Sequence, residues 1–367
     1  MSALNSVKTP DLAKITYLLI STVAVVMILS YSEQYVIPFI VAMLVWFIIH
    51  EAREYLVRIP IIRDKVPVWA QSMFSFLFMN VILFVVGKLL YASMSHLSEN
   101  LEEYQANLLL ALEELDGLAG INVSSQLIDY VSNADLTQYI SMMIDTATTL
   151  FGDAFLILIY IIFLLIEETV FDKKMEAFYP NDETRKKKFS LLNKMDRNIG
   201  QYLLLKTFVS FITGLLSYVV LFLFDIDSPF FWAMLIFVLN YIPTVGSLIA
   251  TLFPAFFAIL QFGELAPFVY ILVSVGVIQV IVGNIIEPKM MGNSLNMSSL
   301  VVVLSLTIWG AIWGIMGMIL SVPITVMMII VCEEIPSLRF VAVALSESGN
   351  LSTDPIVTDI AEDSTED

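Results

Sequence analysis

Two apolar runs in this chain are too long to cross a bilayer once, and both carry helix breakers inside them. Residues 230 to 262 as one helix would extend ~50 Å against a hydrocarbon core of ~30 Å. The run is interrupted by Asn240-Tyr241-Ile242-Pro243-Thr244-Val245-Gly246 and again by Pro254. Residues 299 to 332 repeat the pattern, broken by Gly310, Gly314, Gly317 and Pro323. Pro243 removes an amide donor and clashes with the preceding turn, so the helix is expected to open there. Carbonyls freed at membrane depth are tolerated only against protein or a water-lined cavity. Each over-long run follows one ordinary span, 203 to 224 and then 266 to 286. The C-terminal half thus reads as two units, each a full span plus an interrupted apolar pair. Interrupted segments at matching places in two halves point to a transporter substrate site; kinked helices packing through small residues are the alternative.

The remainder of the chain is equally apolar. Hydrophobic residues make up 58% and charged residues 14%, against roughly 45–50% and 25% in soluble domains, and the mean hydropathy is +0.85. A water-soluble enzyme is excluded. Further apolar runs at 15–31, 35–50, 68–92 and 154–170 give an all-α polytopic membrane protein with about eight transmembrane segments. Two of them are Pro/Gly-broken helical pairs, open to a re-entrant course and arranged as an inverted repeat. The formal charge of -17 argues against a nucleic-acid partner, because nothing would neutralise phosphates. Cys332 is the single cysteine, so no internal disulfide forms, and with only His50 and His96 no thiolate or imidazole metal cluster can be built. Neither a GxxxxGK[ST] phosphate loop nor an HExxH or GxSxG constellation is present, so no ATP hydrolysis, enzyme activity or cofactor is expected. The two histidines lie near span ends and read as interfacial.

Charge placement assigns sides. Lys8 and Lys14 precede the first run, which lacks a small-residue cleavage site and is followed at once by a second span, so it reads as an uncleaved hairpin. The loop 51–67, with Arg53, Arg58, Arg63 and Lys65, is cytoplasmic by the positive-inside rule, and so is the N-terminus. Between Lys88 and Lys173 there is no Lys or Arg but there are ten acids from Glu99 to Asp153, which places this stretch outside. Within it Leu97, Leu101, Tyr104, Leu108, Leu112 and Leu115 form one face of an amphipathic helix that Gly117 and Gly120 end. A second helical pattern, Leu136 to Ala147, runs into the fourth span. These helices cover neighbouring helices or subunits, or form a ligand-binding outer domain. Residues 171 to 200, with Lys173, Lys174, Arg185 to Lys188, Lys194 and Arg197, read as a cytoplasmic loop, for which topology suffices and anionic lipid is the alternative. The acidic segment after Arg339 reads as a disordered, solvated tail in the cytoplasm. The expected layout is a three-span scaffold (1–92), outer amphipathic helices (93–153), a fourth span with its basic loop (154–200), broken units at 201–264 and 265–335, and the tail (336–367).

The span 266–286 carries Gly276, Gln279, Gly283 and, just beyond it, Glu287 at helical offsets, with Asn284 beside them. Facing lipid, these groups would leave amides unsatisfied, so the stripe is expected to face protein or an aqueous path. Glu287 is the acid tied to it. It exchanges protons or holds a cation if buried, or caps the interface beside Lys289.

At these residues the chain resembles the autoinducer-2 exporter family of bacterial multi-pass inner-membrane proteins. The resemblance rests on NYIPxxG at 240–246, GNIIEPKxMGxSL at 283–295 and the WG...G...VPIT pattern ending at 325, and the span layout follows the family over roughly residues 10 to 335. It implies export of a small molecule, a furanone-type quorum-sensing signal in one branch, with sodium or lithium/proton antiporters in another. It also implies a homo-oligomer such as a pentamer, embedded in the lipid bilayer. Asn240, Pro243 and Gly246 carry over as broken-helix positions, and Asn284, Glu287, Pro288 and Gly292 as the loop beside the site; with Gln279, Gly283 and Pro323 these make up the expected substrate or ion path. The substrate, a small molecule or a cation, does not carry over. The rival from another class is a non-transporting scaffold that binds a partner through the outer acidic helices.

Overall fold

The computed structural model describes residues 12–57, 68–119, 136–291, 297–347 and 349. Lys8, Arg58, Arg63, Lys65, Gly120, Gly292 and the acidic tail from Asp354 onward lie outside the described residues. Among those described, the chain is helical with no strand beyond a bridge between Met297 and Ser346. In order come α1 (Leu12–Tyr31), α2 (Glu33–Val57), α3 (Val68–Glu99), α4 (Leu101–Ala119), α5 (Leu136–Phe178) and α6 (Asp182–Leu223). They are followed by α7 (Pro229–Leu239), α8 (Val245–Phe262), α9 (Leu265–Ile281), a π-helical turn (Val282–Ile286), α10 (Glu287–Met291), α11 (Ser299–Glu334) and α12 (Arg339–Leu345). Seven helices among the described residues are long and apolar enough to cross a membrane. Large apolar side chains point away from the protein, Phe84 at 74% exposure and Phe163 at 64%. Such faces suit lipid and not water, and the chain is an all-α polytopic membrane protein.

The basic segment 171–200 is not an open loop. α5 runs through it to Phe178 and α6 restarts at Asp182. Lys, Arg and Glu are good helix formers, and Asn181 caps the restart by accepting the Glu183 amide at 2.9 Å, with Asp182 and Glu183 in the first turn favoured by the helix dipole. The outer amphipathic stripe is also divided differently: Leu97 belongs to α3 and the rest to α4, which runs past Gly117 to Ala119. Pro254 and Pro323 lie inside α8 and α11 without ending them. A lone buried Pro deletes one backbone bond, which neighbouring helices accommodate.

α6 and α9 run antiparallel and set the frame. Lys206 pairs with Glu287 at one end, and the Phe224 ring stacks on Tyr270 at 6.4 Å at the other; the separation along α6 is ~27 Å, about one hydrocarbon core. Both broken segments fold back on themselves. Trp232 of α7 and Phe257 of α8 have ring centroids 4.8 Å apart, whereas a continuous helix would separate them by ~38 Å. The mouth of this first hairpin is stitched by Gln261, which accepts the Asp227 amide at 2.8 Å and donates to the Asp225 carbonyl at 2.7 Å. The chain therefore returns to the end of α6 that it left. In α11 the Trp309 indole donates to Thr325 Oγ1 at 3.3 Å, a pair ~24 Å apart in a straight helix. The reversal sits at Trp313 and Gly314, whose backbone is non-helical. The base of this second hairpin is bonded to α12 through the Ser298 amide and the Leu345 carbonyl, 3.3 Å; at its tip the Trp313 indole donates to the Leu29 carbonyl at 3.0 Å, beside the start of α2, whereas Gly200 of α6 meets Phe47 and Glu51 toward the other end of α2. The hairpins thus open toward opposite ends of the α6–α9 pair.

Candidate transport site

The tip of the first hairpin is built from the Asn240–Gly246 segment. Asn240 is buried and its Nδ2 donates to Ser210 Oγ on α6 at 3.0 Å. The Tyr241 hydroxyl bonds Thr207 Oγ1 at 2.6 Å. Pro243 turns the chain, and Thr244 follows at φ 60°, ψ -57° with the Val245 amide donating to the Pro243 carbonyl at 2.6 Å. This is a γ-turn of the strained hand, unusual for a β-branched residue. Gly246 then passes so close to the end of α7 that a Cβ would lie 1.9 Å from the Leu239 carbonyl oxygen, which only glycine permits. The second tip repeats the device: Gly314 has φ 58°, and a Cβ on Gly317 would lie 1.9 Å from the Trp309 carbonyl oxygen.

One residue before Thr207, Lys206 forms an ion pair with Glu287. The lysine side chain is 5% exposed and the carboxylate 24%. Removing one member of such a pair leaves an uncompensated charge in low dielectric. Glu287 is delivered there by the π-turn, whose amide-to-carbonyl bond runs from Glu287 back to Val282. π-turns insert a residue into the helical ladder and frequently mark functional sites.

That insertion redistributes the expected stripe. Gln279 is buried, with its Nε2 lacking a hydrogen-bond partner among the described residues, and Glu287 faces α6. Gly283, Asn284 and Pro288 are exposed on the outer side of the turn. Asn240 and Glu287 are brought together through Lys206, Thr207 and Ser210 of α6, with Pro243 and Gly246 forming the turn above them. Pro323 is buried in the second hairpin, and Gly292 is outside the described residues. Glu287 pairs with Lys206, not with Lys289. Sequence reading missed Lys206, Thr207, Ser210 and Tyr241. The available signal was a lysine four residues inside the apolar run 203–224, since a charge at membrane depth implies a partner.

His50 joins the framework to α6. Its Nδ1 lies 3.2 Å from Glu168 Oε1 on α5 and its Nε2 3.2 Å from Asp196 Oδ2 on α6. Trp46 donates to Glu168 Oε2 at 3.0 Å and Arg53 pairs with the same carboxylate. These groups hold three helices in register. His96 is exposed near Asn100.

A family model described as AI-2E family transporter matches residues 19–337. The AI-2 transport protein TqsA of Escherichia coli (strain K12) is 30% identical over 341 residues, which cover 91% of this chain and 96% of that protein. A Haemophilus influenzae protein, also named as a transport protein, is 27% identical over 333 residues, or 87% and 93% of the two chains.

Proposed function

The chain belongs to the AI-2E transporter family, and from that premise we propose that it is a secondary transporter exporting a small molecule, such as a quorum-sensing signal, across the bacterial inner membrane. The family and the names of its relatives indicate a transport protein rather than an enzyme. The observation that carries the reading is the pair of Pro/Gly-broken hairpins entering from opposite ends, the first with its tip beside a buried ion pair. Irregular backbone at membrane depth is stable where it lines a polar path. In this reading Asn240, Pro243, Gly246, Gln279 and Glu287 line the path, the N-terminal spans and outer helices form the scaffold, both termini are cytoplasmic, and the protein works as a homo-oligomer such as a pentamer. A sodium or lithium/proton antiporter is the second reading, favoured by a carboxylate paired with a buried lysine. The test compares autoinducer-2 in the medium of deletion and overexpressing cells, with sodium-gradient and pH-jump assays in vesicles alongside. Export that follows expression, and falls with Pro243→Ala, supports the first reading; cation/proton exchange without it supports the second. A third outcome, in which deleting residues 97–150 abolishes function while Pro243 and Glu287 variants retain it, would leave the partner-binding scaffold.

A further inference from the structure

The basic end of the α5–α6 pair takes no part in the transport reading, and its charges are grouped around a cleft. We propose that the face of α6 from Arg185 to Asn193 is a headgroup site for anionic phospholipid, with the lipid phosphate against Arg185 and Lys186. Arg185, Lys186, Phe189, Ser190 and Asn193 follow one another at offsets that share a helix face, and they line an open cleft of ≈ 410 Å³, within the roughly 300–1,000 Å³ of small-ligand sites. Among the described residues the lining holds two cations, a hydroxyl and a carboxamide, and no carboxylate. These groups match the charge and the acceptor oxygens of a phosphodiester. One guanidinium nitrogen of Arg185 donates to Asp182 Oδ1 at 2.5 Å, which leaves the rest of the fork for a second acceptor. Lys173, Lys186 and Lys188 are exposed, and none of them forms an ion pair among the described residues. Carboxylates at this end of the two helices are already engaged: Glu167 with Lys174, Glu168 with Arg53 and Asp196 with His50.

The cleft lies at the height a headgroup requires. The apolar window of α5, Ala154–Phe171, ends at Phe171, and the Phe171 ring packs on Phe189 with centroids 6.5 Å apart. α5 and α6 run antiparallel here, since Glu168 and Asp196 both reach His50. Phe189 is therefore level with the last apolar turn of α5, and Arg185 and Lys186, one turn nearer the start of α6, are level with the first lysines beyond that window. In the opposite direction Phe163, Ile166 and Val170 form an exposed apolar face of α5 along which acyl chains can lie. A soluble phosphate would use the cations and leave this face unused, so lipid is the occupant that the whole surface fits. Charge bias between the two sides of the membrane accounts for the number of lysines and arginines here. It does not require two of them to share a cleft with Ser190 and Asn193 beside an aromatic pair at the end of an apolar span.

The test titrates the full chain in detergent with dioleoyl phosphatidylglycerol or dioleoyl phosphatidylcholine and reads the first bound lipid by native mass spectrometry, with glycerol phosphate as the soluble arm. The expected result is that the first phosphatidylglycerol binds about fivefold or more tighter than the first phosphatidylcholine, and that Arg185→Gln/Lys186→Gln removes most of this preference. Lys289→Gln/Arg339→Gln takes the same charge from exposed positions on α10 and α12 and should keep it. Equal binding of the two lipids by the parent protein, an unaltered preference in Arg185→Gln/Lys186→Gln, or an equal loss in the control pair overturns the proposal. Glycerol phosphate binding as tightly as phosphatidylglycerol overturns it as well, because the site would then serve a soluble anion. Where the double variant fails to fold, Lys186→Gln alone changes one exposed side chain and should still lower the preference. No transported substrate enters the measurement, so its outcome is separate from that of the export assay.

Discussion

Glu264 and Glu287 flank the same helical segment in opposite surroundings, and neutralising them is expected to have unequal effects. Glu264 is exposed at the start of α9, where a carboxylate is hydrated at little cost. Glu287 is mostly covered and holds Lys206. Glu287→Gln should abolish most coupled transport in vesicles while Glu264→Gln retains it; equal activity would remove Glu287 from the site. Two glycines make a parallel contrast. Gly246→Ala drives a methyl into the Leu239 carbonyl and should destabilise the protein by ~1–3 kcal/mol or prevent insertion. Gly283→Ala has nothing within 4 Å and should be neutral or slightly stabilising, as thermal unfolding in detergent would show. Pro243 and Gly246 were legible in the sequence because proline and glycine act on their own backbone. Lys206 was not, because its partner lies 81 residues away and no local pattern encodes that pairing.

At the scale of elements, the first hairpin depends on its tip and its mouth. Restoring an amide at the tip with Pro243→Ala allows the segment to wind toward continuous helix. The variant should insert at normal levels and turn over slowly; normal transport by a well-expressed protein would make the break a packing kink. The mouth is strapped by α4, with the Tyr104 hydroxyl donating to Asp227 Oδ2 at 2.8 Å, Asn107 Nδ2 to the Gln261 carbonyl at 2.6 Å and the Leu265 amide to Glu114 Oε2 at 2.9 Å. Burial, and then the Asp227 carboxylate, push the Tyr104 phenol above its ordinary value. A raised folded-state value means that the bond contributes fully below about pH 10, the unfolded tyrosine value, and that this contribution is lost as the pH rises beyond it. Tyr104→Phe should therefore cost ~0.5–1.5 kcal/mol by a constant amount between about pH 6 and 9, and less at higher pH; a cost that varies within that window would contradict the assignment. The amphipathic face of α4 was legible from its period, but its target was not, since periodicity gives a face and never a neighbour. The basic segment misled for a related reason: its charges report the side of the membrane, while the same lysines and arginines also favour helix.

For the whole molecule, the central claim is that two like units enter from opposite ends of the α6–α9 pair, each folding back to the end it left. The α6–α9 register fixes this relation at Lys206–Glu287 and Phe224–Tyr270, and Gln261 closes the first mouth. Sequence already showed two broken units but left open whether each crosses or returns, because hydropathy is the same for both courses. With Cys332→Ser as background, Glu264→Cys marks the mouth of the first hairpin and Lys289→Cys the opposite end of α9–α10, and each is treated with a membrane-impermeant thiol reagent in spheroplasts. Labelling of Glu264→Cys from outside and of Lys289→Cys only after permeabilisation is the predicted result; labelling of both from the same side would contradict the account.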